Sequence, residues 1–81
     1  MNHRLLFGAA VRKRRKNLGF SQEELAARAE LDRTYVSGIE RGLRNPSLIN
    51  IYKLAVALDS TPEDIFSIAN EIAKHSTEEN N

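Results

Sequence analysis

The sequence predicts an all-α domain made of five short helices. Apolar residues recur at helical spacing in five segments, and we find no strict alternation of apolar and polar residues that would indicate strands. Residue types that begin or end helices separate these segments. A length of 81 residues suits a single domain. We predict a domain over residues 1–75, with helices near 4–18, 21–29, 32–41, 47–58 and 62–74, and a disordered tail over 76–81.

Composition excludes several classes of function. The chain has no cysteine, so it can form neither a disulfide nor a thiolate metal site. His3 and His75 are too far apart in the sequence to indicate a metal cluster. No apolar run has the length of a membrane span or a signal peptide. We expect a cytoplasmic protein with no metal, no cofactor and no membrane partner.

Charge is unevenly distributed, although the formal net charge is only +1. Residues 1–44 carry ten Lys/Arg and five Asp/Glu, a net charge of +5, whereas residues 45–81 carry two and six, a net charge of −4. A basic half is typical of proteins that bind phosphate groups. A flexible acidic tail is the alternative explanation, but Glu78 and Glu79 account for only part of the asymmetry.

The first helix ends in a basic run. Its predicted core residues are Leu6, Phe7, Ala10, Val11 and Leu18. Residues 12–16 are five consecutive cations near the C-terminal end, where positive charge suits the helix dipole. Five consecutive residues of a helix cannot all point one way. Some of these cations could therefore contact phosphate, and at least one should turn inward. A solvated cationic face is the alternative interpretation of the run. Gly19 is the expected glycine that ends the helix in left-handed geometry.

The second and third helices form a compact pair. Ser21 and Glu24 make a capping box at the start of the second helix, and Asp32 is an N-cap residue for the third. The small side chains of Ala26 and Ala29 allow the two helices to cross closely. Two helices joined by a short turn at a steep angle form a helix-turn-helix unit.

The third helix presents a polar face that suits DNA. Val36 and Ile39 form its apolar stripe. The residues that fall away from this stripe are Arg33, Thr34, Tyr35, Ser37 and Arg41. Arginine offers two parallel donors that match guanine, and Thr or Ser suits several base edges. A solvated face of a small helical bundle is the alternative interpretation.

The last two helices each begin at an N-cap. Ser47 precedes the fourth helix, whose predicted core residues are Leu48, Ile51, Ala55 and Leu58, with Leu54 beside them. Thr61 and Pro62 begin the fifth helix. Its apolar residues, which exceed one narrow stripe, are Ile65, Phe66, Ile68, Ala69, Ile72 and Ala73. This excess suggests a partner surface, and a fully intramolecular core is the alternative.

Four blocks of the sequence resemble the Cro/repressor-type (XRE-like) helix-turn-helix family. They are LGFSQEELA at residues 18–26, VSGIERG at 36–42, NPSL at 45–48 and TPEDIF at 61–66. The resemblance covers residues 4–73, and residues 31–48 are most similar to the controller proteins of restriction–modification systems. It implies a compact, repressor-like five-helix DNA-binding domain that binds a near-palindromic, double-stranded operator as a homodimer and regulates transcription.

The resemblance also implies roles for individual residues. The expected base contacts are Arg33, Thr34, Tyr35 and Ser37. The expected phosphate contacts are Gln22, Arg44, Asn45 and Ser47, to which we add the exposed Arg41. An ion pair is expected between Arg15 and Glu40. The expected dimer surface on the fifth helix comprises Ile65, Ile68 and Ile72.

Two positions bear on the geometry of the motif. Glu30 stands where the family often has glycine, and a non-glycine residue in the left-handed conformation costs about 1 kcal/mol. We therefore expect a differently shaped turn. Gly38 within the third helix costs about 1 kcal/mol relative to alanine, and we expect its missing side chain to let the helix lie close to DNA or to the second helix.

The alternative function is a protein-interaction module, such as an antitoxin domain, with DNA binding secondary. The expected tail is too short for a separate toxin-binding segment, which argues against it. Catalysis has no support, because the chain lacks a cysteine, a histidine pair, a glycine-rich phosphate loop and a carboxylate pair in an apolar setting. We expect a regulator that is not an enzyme, with RNA polymerase as a further candidate partner.

Overall fold

A computed structural model describes the backbone of residues 2–79 and the side chains of residues 2–76. This part of the chain forms five α-helices: α1 (His3–Asn17), α2 (Gln22–Ala29), α3 (Arg33–Glu40), α4 (Leu48–Ala57) and α5 (Pro62–Glu79). The predicted all-α class is confirmed. The first four helices begin and end within one residue of the predicted bounds.

Side-chain hydroxyls mark the start of three helices. Those of Ser21, Ser47 and Thr61 each accept a hydrogen bond from the backbone N–H three residues on, at 3.0, 3.2 and 3.1 Å. Each bond satisfies one of the N–H groups that the first turn of a helix leaves without a helical partner. These local bonds explain why the sequence predicts the first residue of these three helices to within one position.

Helix α5 extends beyond its predicted end near residue 74, which corrects the expected disordered tail. Residues 76–79 continue the helix, and residues 80 and 81 lie outside the described residues. Adding a residue to an existing helix gains one hydrogen bond for one residue fixed, whereas starting a helix fixes several for the first bond. A polar segment can therefore prolong a helix that it could not start.

The core lies where α1 packs against α3 and α5, and where α2 packs against α3 and α4. Its largest fully buried side chains are Leu25, Ile39, Leu54, Leu58, Ile65, Val11 and Val36. Gly8 allows the closest approach, because a Cβ there would overlap the carbonyl oxygen of Ile39 and lie 2.9 Å from that of Glu40. Helices α1 and α3 therefore meet backbone to backbone.

The buried side of α4 agrees with the prediction at Ala55 and Leu58, which are fully buried, and differs from it at the start of the helix. Leu54 is fully buried, whereas Leu48, a predicted core residue, is 70% exposed, and Ile51 is half-buried. Apolar residues occupy nearly every side of this helix. Spacing alone could therefore not decide which side faces the core.

Ile65 belongs to the core, which corrects its assignment to a dimer surface. It is 1% exposed, and Ala69, one turn later, is also buried. This i, i+4 pair faces inward because α5 packs against α1 and α4 along that side. Ile68 and Ile72 are half-buried and pack against the same core.

Among the side chains of residues 2–76, no group of three or more His, Cys, Asp and Glu residues is placed to hold a metal ion. Over the same residues, no helix combines the length and apolar character that crossing a bilayer requires.

Candidate nucleic-acid interface

Helix α3 holds a polar face in solvent while its other side is anchored in the core. Val36 and Ile39 are buried, so the opposite side of the helix turns outward. We call Arg33, Thr34, Tyr35, Ser37 and Arg41 the polar face of α3. Within it, Arg33, Thr34 and Arg41 are exposed, and Tyr35 and Ser37 are half-buried.

Tyr35 is held in place by two neighbours. Its hydroxyl accepts a hydrogen bond from the side-chain Nδ2 of Asn50 at 3.0 Å. The guanidinium carbon of Arg44 lies 5.9 Å from the centre of the Tyr35 ring, which is within the range of a cation–π contact. Because the hydroxyl accepts from Asn50, its own hydrogen remains to be donated to another group. Sequence reasoning missed Asn50, which carried no motif signal.

The space beside Gly38 holds the side chain of Arg44, to which the three atoms nearest an added Cβ belong. A close approach of this helix to DNA stays a prediction. A Cβ at Gly38 would lie 2.8 Å from Cγ of Arg44. The stem of Arg44 therefore crosses α3 at Gly38 before its guanidinium reaches Tyr35. The chain returns towards this side because Gly42 adopts a φ of +74° and the N–H of Leu43 bonds to the Gly38 carbonyl at 2.9 Å.

The turn between α2 and α3 keeps left-handed geometry without a glycine. Glu30 has φ 56° and ψ 44°, and its N–H donates to the carbonyls of Ala26 and Ala27. The N–H of Leu31 donates to the Ala26 carbonyl at 2.9 Å. The expectation of a differently shaped turn was wrong, because these bonds hold a conformation that costs a non-glycine residue about 1 kcal/mol.

A buried ion pair fixes the orientation of α3 relative to α1. Nε of Arg15 lies 2.6 Å from Oε2 of Glu40, and Nη2 donates to Oε1 at 2.8 Å. Nη1 donates to the carbonyl of Phe20 at 2.8 Å. The hydrogen bond to Glu40 raises the pKa of Arg15 above its ordinary value. Arg15 is therefore the member of the basic run that turns inward, and its guanidinium is held by both Glu40 and Phe20.

Gln22, a predicted phosphate contact, joins the same network. Its Nε2 donates to Oε1 of Glu40 at 3.1 Å, and the residue is half-buried at the start of α2. A side-chain amide has two N–H donors. One N–H holds Glu40, and the second is left for the predicted phosphate contact.

Arg14 provides a second inward contact that sequence reasoning did not assign. Its Nε donates to the carbonyl of Leu58 at 3.0 Å, and its Nη2 donates to that of Asp59 at 3.2 Å. These carbonyls end α4, where cations are favourable. Three exposed cations of the run remain for other contacts, namely Arg12, Lys13 and Lys16.

The loop between α3 and α4 contains the other predicted phosphate contacts. Arg44, Asn45 and Ser47 are exposed, and the hydroxyl of Ser47 caps α4. Arg41 is exposed and its Nε donates to the Ser37 carbonyl at 3.4 Å. Through Arg44, the structure brings this loop onto the polar face of α3. Gln22 is at the start of α2 and contacts α3 through Glu40.

This fold and this face define a helix-turn-helix protein of the Cro/repressor (XRE) type. A helix-turn-helix family matches residues 11–65, and the chain belongs to that family. The control protein C.BamHI of Bacillus amyloliquefaciens is 52% identical over 65 residues, which cover 79% of this chain and 80% of that protein. The resemblance to controller proteins is thereby confirmed.

Solved structures give the same result. The restriction–modification controller protein C.AhdI from Aeromonas hydrophila is 52% identical and covers 76% of this chain and 94% of its own, with a TM-score of 0.75. The controller protein C.Esp1396I, solved as a tetramer in complex with its natural 35-base-pair operator, is 30% identical, with a TM-score of 0.78, and covers 88% of this chain and 95% of its own. Both solved relatives are restriction–modification controller proteins.

Proposed function

We propose that this protein is the controller of a restriction–modification system, which binds operator DNA sequence-specifically as a homodimer and regulates transcription in the cytoplasm. The observation that carries the proposal is the polar face of α3, held in solvent by the buried Val36 and Ile39. The similarity of the chain to controller proteins, one of which was solved in complex with its operator, supports the same conclusion.

The exposed start of α3 would read base edges in the major groove. In helix-turn-helix proteins the N-terminal residues of the second helix of the motif reach the bases. Arg33 would donate two hydrogen bonds to guanine, and Thr34 would contact a neighbouring base. The Tyr35 hydroxyl would donate to a base acceptor, because Asn50 already donates to it.

A second set of side chains would position the domain on the backbone of the duplex. Gln22, Arg44, Asn45 and Arg41 would contact phosphates, together with Ser47 and the N–H groups at the start of α4. Such contacts carry affinity and register, whereas base contacts carry the sequence preference. The homodimer would place two copies of α3 about 34 Å apart in successive major grooves.

The site that the dimer occupies would decide its effect on transcription. A dimer that covers a promoter excludes RNA polymerase and represses. A dimer bound beside a promoter can contact RNA polymerase and activate. Both outcomes require the same polar face of α3, so one experiment on DNA preference tests the proposal.

The experiment is selection of bound sequences from random duplex DNA, followed by footprinting of the selected site. We expect a near-palindromic sequence with half-sites about one helical turn apart. The footprint should show protection on both half-sites. Salt-sensitive binding to every duplex with no selected sequence would contradict the proposal, since it would leave only phosphate contacts.

A further inference from the structure

Helix α1 exposes a group of cations on the side of the domain next to Glu40. Arg12, Lys13 and Lys16, which we call the α1 cations, are exposed, and none of the ion pairs among residues 2–76 involves them. Only Lys16 lies in the last turn of α1, where the helix dipole favours positive charge. The stability of α1 therefore does not account for Arg12 and Lys13, and their charges are available to a bound molecule.

An open groove joins the α1 cations to α3. With Leu5, Ala9 and Glu40 they line a space of about 310 Å³. Glu40 is the last residue of α3, and its Oε1 accepts a hydrogen bond of 3.1 Å from Nε2 of Gln22, a predicted phosphate contact. The groove therefore begins beside a residue that the proposed function already assigns to the DNA backbone.

The groove and the loop between α3 and α4 lie at opposite edges of the polar face of α3. Successive residues of an α-helix are rotated by about 100°, so Gly38 lies about 100° to one side of Ser37 and Glu40 about 60° to the other. The side chain of Arg44 passes Gly38, which puts the loop at the first edge. Glu40 and the α1 cations lie at the second edge.

A helix in the major groove lies between two phosphate backbones, one at each edge of its reading face. The loop that contains Arg44 would contact one of them. We propose that the α1 cations bind phosphates of the other backbone, next to Gln22. The inference rests on the proposed function, because it requires α3 in the major groove, and it identifies a second phosphate-binding surface for the same site.

The charges in the groove suit a phosphate backbone. Glu40 is the acid among the lining residues, and Arg15 compensates its charge through contacts of 2.6 and 2.8 Å. The α1 cations therefore leave the groove with an excess of positive charge, which attracts phosphate. Leu5 and Ala9 add an apolar floor, which suits the sugar between two phosphates.

The course of α1 directs the cations towards the DNA side of the domain. At Gly8, α1 passes the end of α3 backbone to backbone. Further along, Arg15 donates to Glu40 and to the carbonyl of Phe20, which directly precedes α2. Lys16 therefore lies towards the start of α2, where Gln22 is expected to meet a phosphate.

Salt-dependent DNA binding by the full-length double variant Arg12→Ala/Lys16→Ala tests this inference. Each phosphate contact contributes about 0.9 to the slope of log affinity against log salt concentration, so the slope should fall by about two units. Affinity near physiological salt should fall on the order of 10-fold, for the selected operator and for an unrelated duplex alike. Lys74→Ala removes an exposed cation of α5 and should leave the slope unchanged.

Ethylation of single phosphates in the selected operator locates the contacts. In the wild-type complex, ethylation should interfere with binding on both backbones of each half-site. In Arg12→Ala/Lys16→Ala the interference should disappear on one backbone only, and in Arg44→Ala on the other. Loss of the same phosphates in both variants would overturn the inference, because it would place the two surfaces on one backbone.

Both substituted residues are exposed, so the helices should be retained, which circular dichroism checks. Lys13→Ala replaces the double variant if that variant does not fold, with an expected fall of about one unit in slope. An unchanged slope would overturn the inference. A variant that binds DNA as the wild type does but no longer recruits RNA polymerase would overturn it too, and would assign the face to the polymerase. The proposed function fails separately, when selection yields no favoured sequence.

Discussion

Asn50 donates a hydrogen bond of 3.0 Å to the hydroxyl of Tyr35 and so joins α4 to the polar face of α3. Asn50 is half-buried and lies in the first turn of α4. Because the hydroxyl accepts from Asn50, its own hydrogen is left to be donated to another group, which under the proposed function would be a base. Asn50 would therefore influence base preference without touching a base.

Asn50→Ala should weaken operator binding by about fivefold, the effect of losing one hydrogen bond worth about 1 kcal/mol. Tyr35→Phe should have a similar effect. The double variant should bind no worse than either single variant, because both remove the same interaction. Titration of the four proteins with operator DNA measures this coupling, and independent, additive losses would contradict it.

Arg33→Ala should cost about 1–3 kcal/mol of binding free energy and relax the preference at one base pair. Arg33 is exposed at the first position of α3, where a bidentate contact to guanine is possible. Lys74→Ala removes the same charge from the exposed side of α5 and is the matched control. Unchanged affinity and base preference in Arg33→Ala would rule out direct readout by this residue.

Arg44→Ala should weaken binding to all sequences by a similar factor. As a phosphate contact, Arg44 should contribute about one unit to the slope of log affinity against log salt concentration. Titrations at several salt concentrations, on operator and unrelated duplexes, measure both quantities. A loss confined to the operator would instead indicate that Arg44 acts through the Tyr35 ring that it faces.

Arg15→Ala should lower the free energy of unfolding by about 3–5 kcal/mol, because it leaves the buried carboxylate of Glu40 without its charged partner. Replacing both Arg15 and Glu40 by methionine should be less destabilising than replacing either residue alone by methionine. Urea denaturation of these variants measures their free energies of unfolding. A double variant as unstable as the sum of the single changes would show that the two residues act independently.

Gly8→Ala and Gly38→Ala should have opposite effects on stability. At Gly8 the added methyl group meets the backbone carbonyls of α3, and such overpacking costs about 1–3 kcal/mol. At Gly38 the nearest atoms belong to the side chain of Arg44, whose Cγ would lie at 2.8 Å and has to shift. A side chain shifts more easily than a backbone, so part of the gain in helix propensity of up to about 1 kcal/mol should remain. Thermal unfolding of both variants measures the shift in melting temperature that each change causes. Equal shifts in the melting temperature would mean that α1 and α3 can move apart.

Most of the fold could be predicted from interactions within a few residues of one another. The hydroxyls of Ser21, Ser47 and Thr61 bond to N–H groups three residues on, so local sequence places the helix starts. Val36 and Ile39 leave one side of a short helix polar, whatever surrounds it. The polar face of α3 and the family followed from such local patterns.

Only the tertiary structure decided which apolar residues are buried and how the site is supported. Leu54 and not Leu48 faces the core, and Ile65 is buried, because neighbouring helices cover one side of α4 and α5. The bonds from Gln22 to Glu40 and from Asn50 to Tyr35 join separate helices. Spacing along one helix specifies directions around its own axis, whereas burial and long-range hydrogen bonds depend on where the other helices pack.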